Sequence, residues 1–335
     1  MLHLRMISPS DRTEDVVALL EETVGTAHLA VLPGAARDPA GDIVLCDVAR
    51  EAADELLSAL RGLELPRDGA IAVDDVGLSL SERADKAEQD APGEGADAVL
   101  WDSLTEATSE ESLLSVTYLT FLTVATMLAA CGVVLDSQIL IVGAMVVGPE
   151  FGPLAGVCTG LVRGAPRPAL RSLAALVVGF PVAMLLTGGF CLLMDALGLF
   201  SEAKYAGTPH PATAFIWQPD PTSFVVALLA GVAGILSLTS AKSGALVGVA
   251  ISVTTVPAAA NAALALGYGH WHMARESAVQ LVVNLAGILL AGVCTLLAQR
   301  AFWAWQRGRG PGARRRSVGT PDEPGAVNSR AGGAV

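Results

Sequence analysis

Inside an apolar run from residue 139 to residue 162 lies the string Gly148-Pro149-Glu150-Phe151-Gly152-Pro153. An ionisable carboxylate between two prolines and two glycines is costly to place in a bilayer, where every backbone polar group must find an internal partner. Each proline lacks an N–H, so Pro149 is expected to free the carbonyl of Met145, and Pro153 that of Pro149. The pattern predicts a broken helix with loose carbonyls around one carboxylate, a candidate cation or proton site.

Composition supports a membrane setting for that run. The chain is 52% hydrophobic and 16% charged, yet its 33 acidic residues lie mostly before Leu113. The formal net charge of −12 therefore belongs mainly to a soluble N-terminal part. It argues against nucleic acid as a partner, which calls for a basic face. Two domains are expected, one wet and one lipidic. Met1 leads directly into a strand-like pattern without a long apolar leader, so no signal peptide is expected. Five cysteines show no metal or redox spacing, and each is read as a small buried hydrophobe.

The first eighty residues alternate simply. Strand patterns at 2–7, 26–32, 43–48 and 70–78 are interleaved with helical faces at 11–23 and 50–63. The order βαββαβ predicts an α+β ferredoxin-like domain over 1–80, a regulatory or assembly module whose partner would be a small-molecule effector or another copy of the chain. Residues 81–102 are polar and acidic and read as a flexible linker. Ser103-Leu104-Thr105-Glu106 has the spacing of a capping box, which places a short amphipathic helix before the first span.

Six apolar stretches are long enough to cross the hydrocarbon core, at 113–135, 139–162, 173–194, 224–240, 244–266 and 279–303. Asp220-Pro221-Thr222 supplies a helix start for the fourth. Arg163, Arg167, Arg171, Lys242 and the arginines from Arg300 onward fall on one side if both termini are cytoplasmic. The positive-inside rule thus predicts a multi-pass protein of the plasma membrane, the bacterial inner membrane, with both termini inside. The transmembrane domain is assigned to 103–305, and a disordered basic tail to 306–335. Trp217 and Trp271 on one side, and Trp303 and Trp305 on the other, suit interfacial belts.

Two middle spans resemble each other. Ile141-Val142-Gly143-Ala144-Met145 leads into the first break, and Leu246-Val247-Gly248-Val249-Ala250 leads into Thr254-Thr255-Val256-Pro257. A unit of three spans repeated once must insert with opposite topology, a 3+3 inverted repeat whose broken helices, at 148–153 and 254–257, meet near the midplane. Pro257 would then free the carbonyl of Val253 beside the hydroxyls of Thr254 and Thr255. Asn261, and Gln280 with Asn284 at i, i+4 spacing, are candidates to complete a pocket around Glu150. For the threonines the competing reading is back-bonding to their own helices, and for the asparagines interhelical hydrogen bonding.

Gly148, Gly152, Gly156 and Gly160 form an i+4 ladder that lets another backbone approach, or else lines a narrow pathway. Thr117, Thr120, Thr123 and Thr126 recur every third residue on the first span, as a polar lining or as lipid-tolerated hydroxyls. His270-Trp271-His272, with His210, is too sparse to name a metal site; no metal or cofactor is expected. No nucleophile–base pair or cofactor loop points to an enzyme.

The string from Ser137 to Ala155 that contains this motif, with Thr108-Ser109-Glu110-Glu111-Ser112 before it and Leu161-Val162-Arg163 after it, closely resembles a prokaryotic uncharacterised hydrophobic-domain family, domain of unknown function 389. The resemblance covers about residues 103–301, and the N-terminal domain matches a common actinobacterial form. It implies the membrane architecture and gives weight to the Gly-Pro-Glu-Phe-Gly-Pro segment, but carries no substrate. The expected function is an ion-coupled permease or secondary transporter for an unknown ion or small solute, with Glu150 at its site. The rivals are an ion channel and a membrane-anchored sensor or scaffold. Homo-oligomers are expected, since the glycine ladder and the small domain both offer association surfaces.

Overall fold

The computed structural model describes residues 1–91, 99–206, 221–240 and 255–307. Strand β1 (Leu2–Ser8) is followed by α1 (Thr13–Glu22), β2 (Thr26–Arg37), β3 (Ala40–Val48), α2 (Arg50–Gly62), the short α3 (Leu65–Asp68) and β4 (Ala70–Asp75). The four strands form one antiparallel sheet in the order β2-β3-β1-β4. Strict alternation explains the register. Leu2, Leu4 and Met6 of β1 and Val44, Cys46 and Val48 of β3 point to one face, where Val16 and Leu20 of α1 and Leu56 and Leu60 of α2 cover them. Cys46 fills core volume there, and burial pushes its thiol up to about 11.

A carboxylate ties one end of this sheet to its loops. Asp42 accepts hydrogen bonds from the Gly34 N–H (2.8 Å), Thr13 Oγ1 (2.7 Å) and Ser10 Oγ (3.2 Å). The Gly34 and Thr13 donors favour its charged form and, with Ser10, outweigh the opposing effect of burial, so its carboxyl titrates below the ordinary 3.8. A group depressed on folding stabilises the native state above its unfolded pKa and loses that contribution as pH falls through the folded value. The Asp42→Asn variant should therefore be less thermostable than the native chain at neutral pH. The gap in unfolding midpoint should close as the pH drops below 3.8; a gap that stays constant down to strong acid would contradict the assignment.

The stretch read as a linker holds a helix, α4 (Glu82–Asp90), started by Ser81, whose Oγ accepts from the Ala84 N–H. Ala84 and Ala87 are buried on one side of it, and it packs against β2 and β3. Helix α5 (Trp101–Glu111) begins at Leu100 rather than at Ser103, because the Leu100 carbonyl already accepts from the Leu104 N–H (2.9 Å). Leu100 itself joins the core of the N-terminal sheet domain.

The rest is helical: α6 (Val116–Val134), α7 (Gln138–Val147), α8 (Phe151–Arg163), α9 (Pro166–Ala196), α10 (Glu202–Ala206), α11 (Pro221–Thr239), α12 (Val256–Gly267) and α13 (Trp271–Arg307). Among the described residues four helices, α6, α9, α11 and α13, are long and apolar enough to cross a membrane, and the bent pair α7–α8 makes a fifth. Apolar side chains such as Val116, Ile139 and Leu185 stand outward, at 83%, 85% and 77% exposure, which is compatible with a lipid-facing surface. Residues 244–254 of the fifth expected span lie outside the described residues and the rest of it falls on α12, while the tail beyond 307, Lys242, His210 and Trp217 also lie outside them.

The ends of these helices gather at two levels. Arg300, near the end of α13, donates to the Val162 carbonyl at the end of α8 (2.9 Å), and Gln299 donates to Thr239 at the end of α11 (2.8 Å). Helix α5 and the start of α9 pack on α8 at this same level. At the other level the end of α6, Phe200, Tyr205, the end of α12 and the start of α13 share one apolar cluster.

Candidate functional site

Proline chemistry sets the geometry around Glu150. A residue before proline is pushed out of the helical region, and Gly148 is extended, at φ −65° and ψ 125°. Helix α7 ends there, α8 begins after Glu150, and the two helices are bent by 51°. The expected broken helix is present, with one correction. Pro153 is the third residue of α8, in the first turn, where an N–H would have no partner within the helix in any case. The break is therefore made at Gly148-Pro149. The Met145 carbonyl lies in the last turn of α7, and that of Pro149 ahead of α8.

Glu150 is wholly buried. Its carboxylate folds back over Gly148, where a Cβ would overlap Glu150 Oε2 and stand 3.0 Å from Val256 Cγ2. A side chain at 148 would thus expel the carboxylate from its position. Oε1 accepts a hydrogen bond from Thr255 Oγ1 at 2.9 Å. Thr255 is the N-cap of α12, yet its hydroxyl makes no capping bond to its own helix and is directed to Glu150 instead. Glu150 is in turn the N-cap of α8. The starts of two short, deeply packed helices therefore meet through one carboxylate–hydroxyl contact. Each helix start carries a partial positive charge from its unpaired N–H groups, which favours the carboxylate there, whereas burial disfavours it. Glu111 of α5 lies over Gly152, two residues away.

The other candidate residues divide. Thr255 reaches Glu150. Pro257 sits in the first turn of α12, where proline is tolerated. Val253 and Thr254, and with them the carbonyl expected to be freed by Pro257, lie outside the described residues. Asn261 is buried but engaged elsewhere: its Oδ1 accepts from the Tyr205 hydroxyl (3.1 Å) and its Nδ2 donates to Ser277 Oγ (2.8 Å). This is the interhelical reading, a polar tie between α10, α12 and α13. Gln280 and Asn284 are both buried on α13. Replacing Asn261 by leucine leaves two buried hydroxyls without their amide, at a cost of about 2–4 kcal/mol. A lowered thermal midpoint of the purified protein should report it, and an unchanged midpoint would rule the tie out as a structural element.

The glycine ladder is a packing surface. A Cβ at Gly152 would meet Glu111, at Gly156 the hydroxyls of Ser112 and Ser172, and at Gly160 the backbone of Ala169. Thr120, Thr123 and Thr126 donate to the carbonyls four residues back, and Thr126 also meets Thr187 of α9 at 2.7 Å. His270 faces Glu202 and His272 faces Glu276, each at 3.3 Å, so the two rings have separate partners. Sequence reasoning missed Tyr205 and Ser277; neither sits in a local pattern that marks it as a partner of Asn261, because the contacts are set by how three helices cross.

Comparison with known proteins gives the same region prominence. Residues 145–290 match the family model described as domain of unknown function (DUF389), as the resemblance anticipated. The match begins at Met145 and runs through the break, α8, α9, α11, α12 and half of α13. An uncharacterized protein of Methanocaldococcus jannaschii is 24% identical over 208 residues, covering 62% of this chain and 61% of that protein. No solved structure matches.

Proposed function

We propose that the chain is a secondary transporter, an ion-coupled permease of the cell membrane, in which Glu150 carries the coupling proton. The observation behind this reading is the Glu150–Thr255 contact where α8 and α12 begin. Two positive helix ends oppose a metal cation at that point and suit a group that takes up and releases a proton. Once Glu150 is protonated, the same helix ends lack a counter-charge and attract the anionic group of a solute, so uptake of the proton and of the anion become linked.

The architecture we infer is six spans in two inverted groups of three. Helix α6 leads away from the soluble domain, α7 returns to the break, α8 completes the crossing and α9 leads away again. Helices α11, α12 and α13 fit the same plan in reverse, with α8 and α12 diverging from a common midpoint toward opposite ends. The βαββαβ order and the β2-β3-β1-β4 sheet support a ferredoxin-like reading of the soluble domain, which we assign to regulation or assembly of a homo-oligomer. Arg163 and Arg300 at the level that contacts the soluble domain support cytoplasmic termini.

The test is a pH-gradient assay. Liposomes containing the full chain and an internal pH dye are given an inward proton gradient with chloride, phosphate or small carboxylates outside. Anion-dependent acidification that saturates with solute supports the transporter. Acidification that never saturates would favour a channel, and silence with every anion would favour the sensor or scaffold.

A further inference from the structure

A cavity of about 460 Å³ lies between the soluble domain, α5 and the ends of α8 and α9. Its volume is that of a small-molecule site, its apolar residues are glycine, alanine and proline, and charged and hydroxyl side chains supply the rest of its lining. Two guanidiniums converge on it. Arg61 of α2 meets Asp102 Oδ2 at 2.5 Å, and both terminal nitrogens of Arg163 of α8 meet Asp102 Oδ1 at 3.1 Å. Arg163 also donates to the Trp101 carbonyl (2.8 Å) and to Thr105 Oγ1 (2.7 Å), which fixes the plane of its fork. A pair of oxygens clasped between guanidiniums from two separate elements is the geometry in which proteins hold an oxyanion.

Thr159 supplies an independent sign. It is one of the lining residues, is 2% exposed, and its buried hydroxyl has no hydrogen-bond partner among the described residues. Buried polar groups are seldom left so, and the threonines of α6 bond back to their own helix. The lining itself is balanced, Arg61 and Arg163 against Asp102 and Glu106, and further arginines stand nearby. Arg167 and Arg171 stand on the first turns of α9, and Arg300 is bound to the Val162 carbonyl one residue from Arg163.

We infer that this cavity binds a phosphate group, whose oxygens replace the Asp102 carboxylate between Arg61 and Arg163 and accept from Thr159. A phosphate monoester carries more charge than a carboxylate and a third acceptor oxygen, so it is the stronger partner for two guanidiniums. Asp102, partly exposed, turns into water when displaced. Because Arg61 belongs to the soluble domain and Arg163 to α8, the ligand contacts both. Along α8, Thr159 is about 14 Å and Arg163 about 20 Å from Glu150, counted at 1.5 Å per residue, and the site does not depend on the transport reading.

The phosphate could be that of a soluble compound or of an anionic lipid headgroup, and the test separates them. The full chain is reconstituted in phosphatidylcholine nanodiscs and titrated calorimetrically with inorganic phosphate, then with short-chain phosphatidic acid. Saturable binding of inorganic phosphate assigns a soluble source, and binding of phosphatidic acid alone assigns the headgroup. Thr159→Val should weaken binding about 10-fold, the loss of one hydrogen bond to a charged group. Asp102→Asn should tighten it several-fold, since it removes the competing carboxylate, and a misfolded variant could not do that. No heat with either probe would overturn the inference, as would binding that neither variant alters. Either failure would leave the proton-coupled reading of Glu150 untouched, because no flux is measured.

Discussion

In proteoliposomes, Glu150→Gln should bring anion-dependent proton entry down to the level of protein-free vesicles while the protein stays folded. The amide keeps an oxygen to accept from Thr255, so the contact between the starts of α8 and α12 survives at 2.9 Å or near it. What is lost is the exchangeable proton on a wholly buried side chain. Gly148→Ala is the matched variant with Glu150 intact. Its new Cβ overlaps the carboxylate, a flexible tip that can turn away, so the thermal midpoint should shift little while coupled flux falls strongly. Full flux in Glu150→Gln would remove Glu150 from the transport reading, and full flux in Gly148→Ala would show that the folded-back position is not required.

Within the glycine ladder, a structural effect is expected at Gly160. A Cβ there would lie 2.8 Å from Ala169 Cβ, 2.9 Å from its backbone nitrogen and 3.0 Å from its Cα. Backbone cannot rotate aside, so α8 and α9 must part, and overpacking of this kind costs about 1–3 kcal/mol even for alanine. Gly160→Ala should lower the thermal midpoint and Gly160→Val should lower it further. Gly143 is the internal comparison: nothing lies within 4 Å of its added Cβ, so Gly143→Ala should be neutral or gain about 0.5–1 kcal/mol from helix propensity. Equal effects at the two positions would mean that the ladder is not a packing surface.

The features that the sequence carried legibly are those that depend on local periodicity or local backbone chemistry. Alternation in Leu2, Leu4 and Met6 gave the inward face of β1, and Gly148-Pro149 gave the break, because proline restricts its predecessor whatever surrounds it. The helix at Glu82–Asp90 was missed although Ser81 offers a cap, since its charges outweigh the weak apolar signal of two alanines. The start of α5 was misjudged because Leu100 is drawn into the core of the N-terminal sheet domain, a tertiary contact that overrides a local capping pattern. Thr255 could be named from the repeat, but its hydrogen bond spans 105 residues and depends on how two helix starts are brought together. The joint hold of Asp102 on Arg61 and Arg163 was invisible for the same reason: no window of sequence contains all three.

The two anchor points of α5 make it a lever. At one end Leu100 is part of the core of the N-terminal sheet domain; at the other Glu111 and the adjoining Ser112 sit in the notches left by Gly152 and Gly156. A shift of the N-terminal domain, if it moved α5 as a rod, would reach α8 two residues from Glu150. Bare glycine notches give little cushioning there, so Glu150 sits close to the point where the N-terminal domain bears on the helical part.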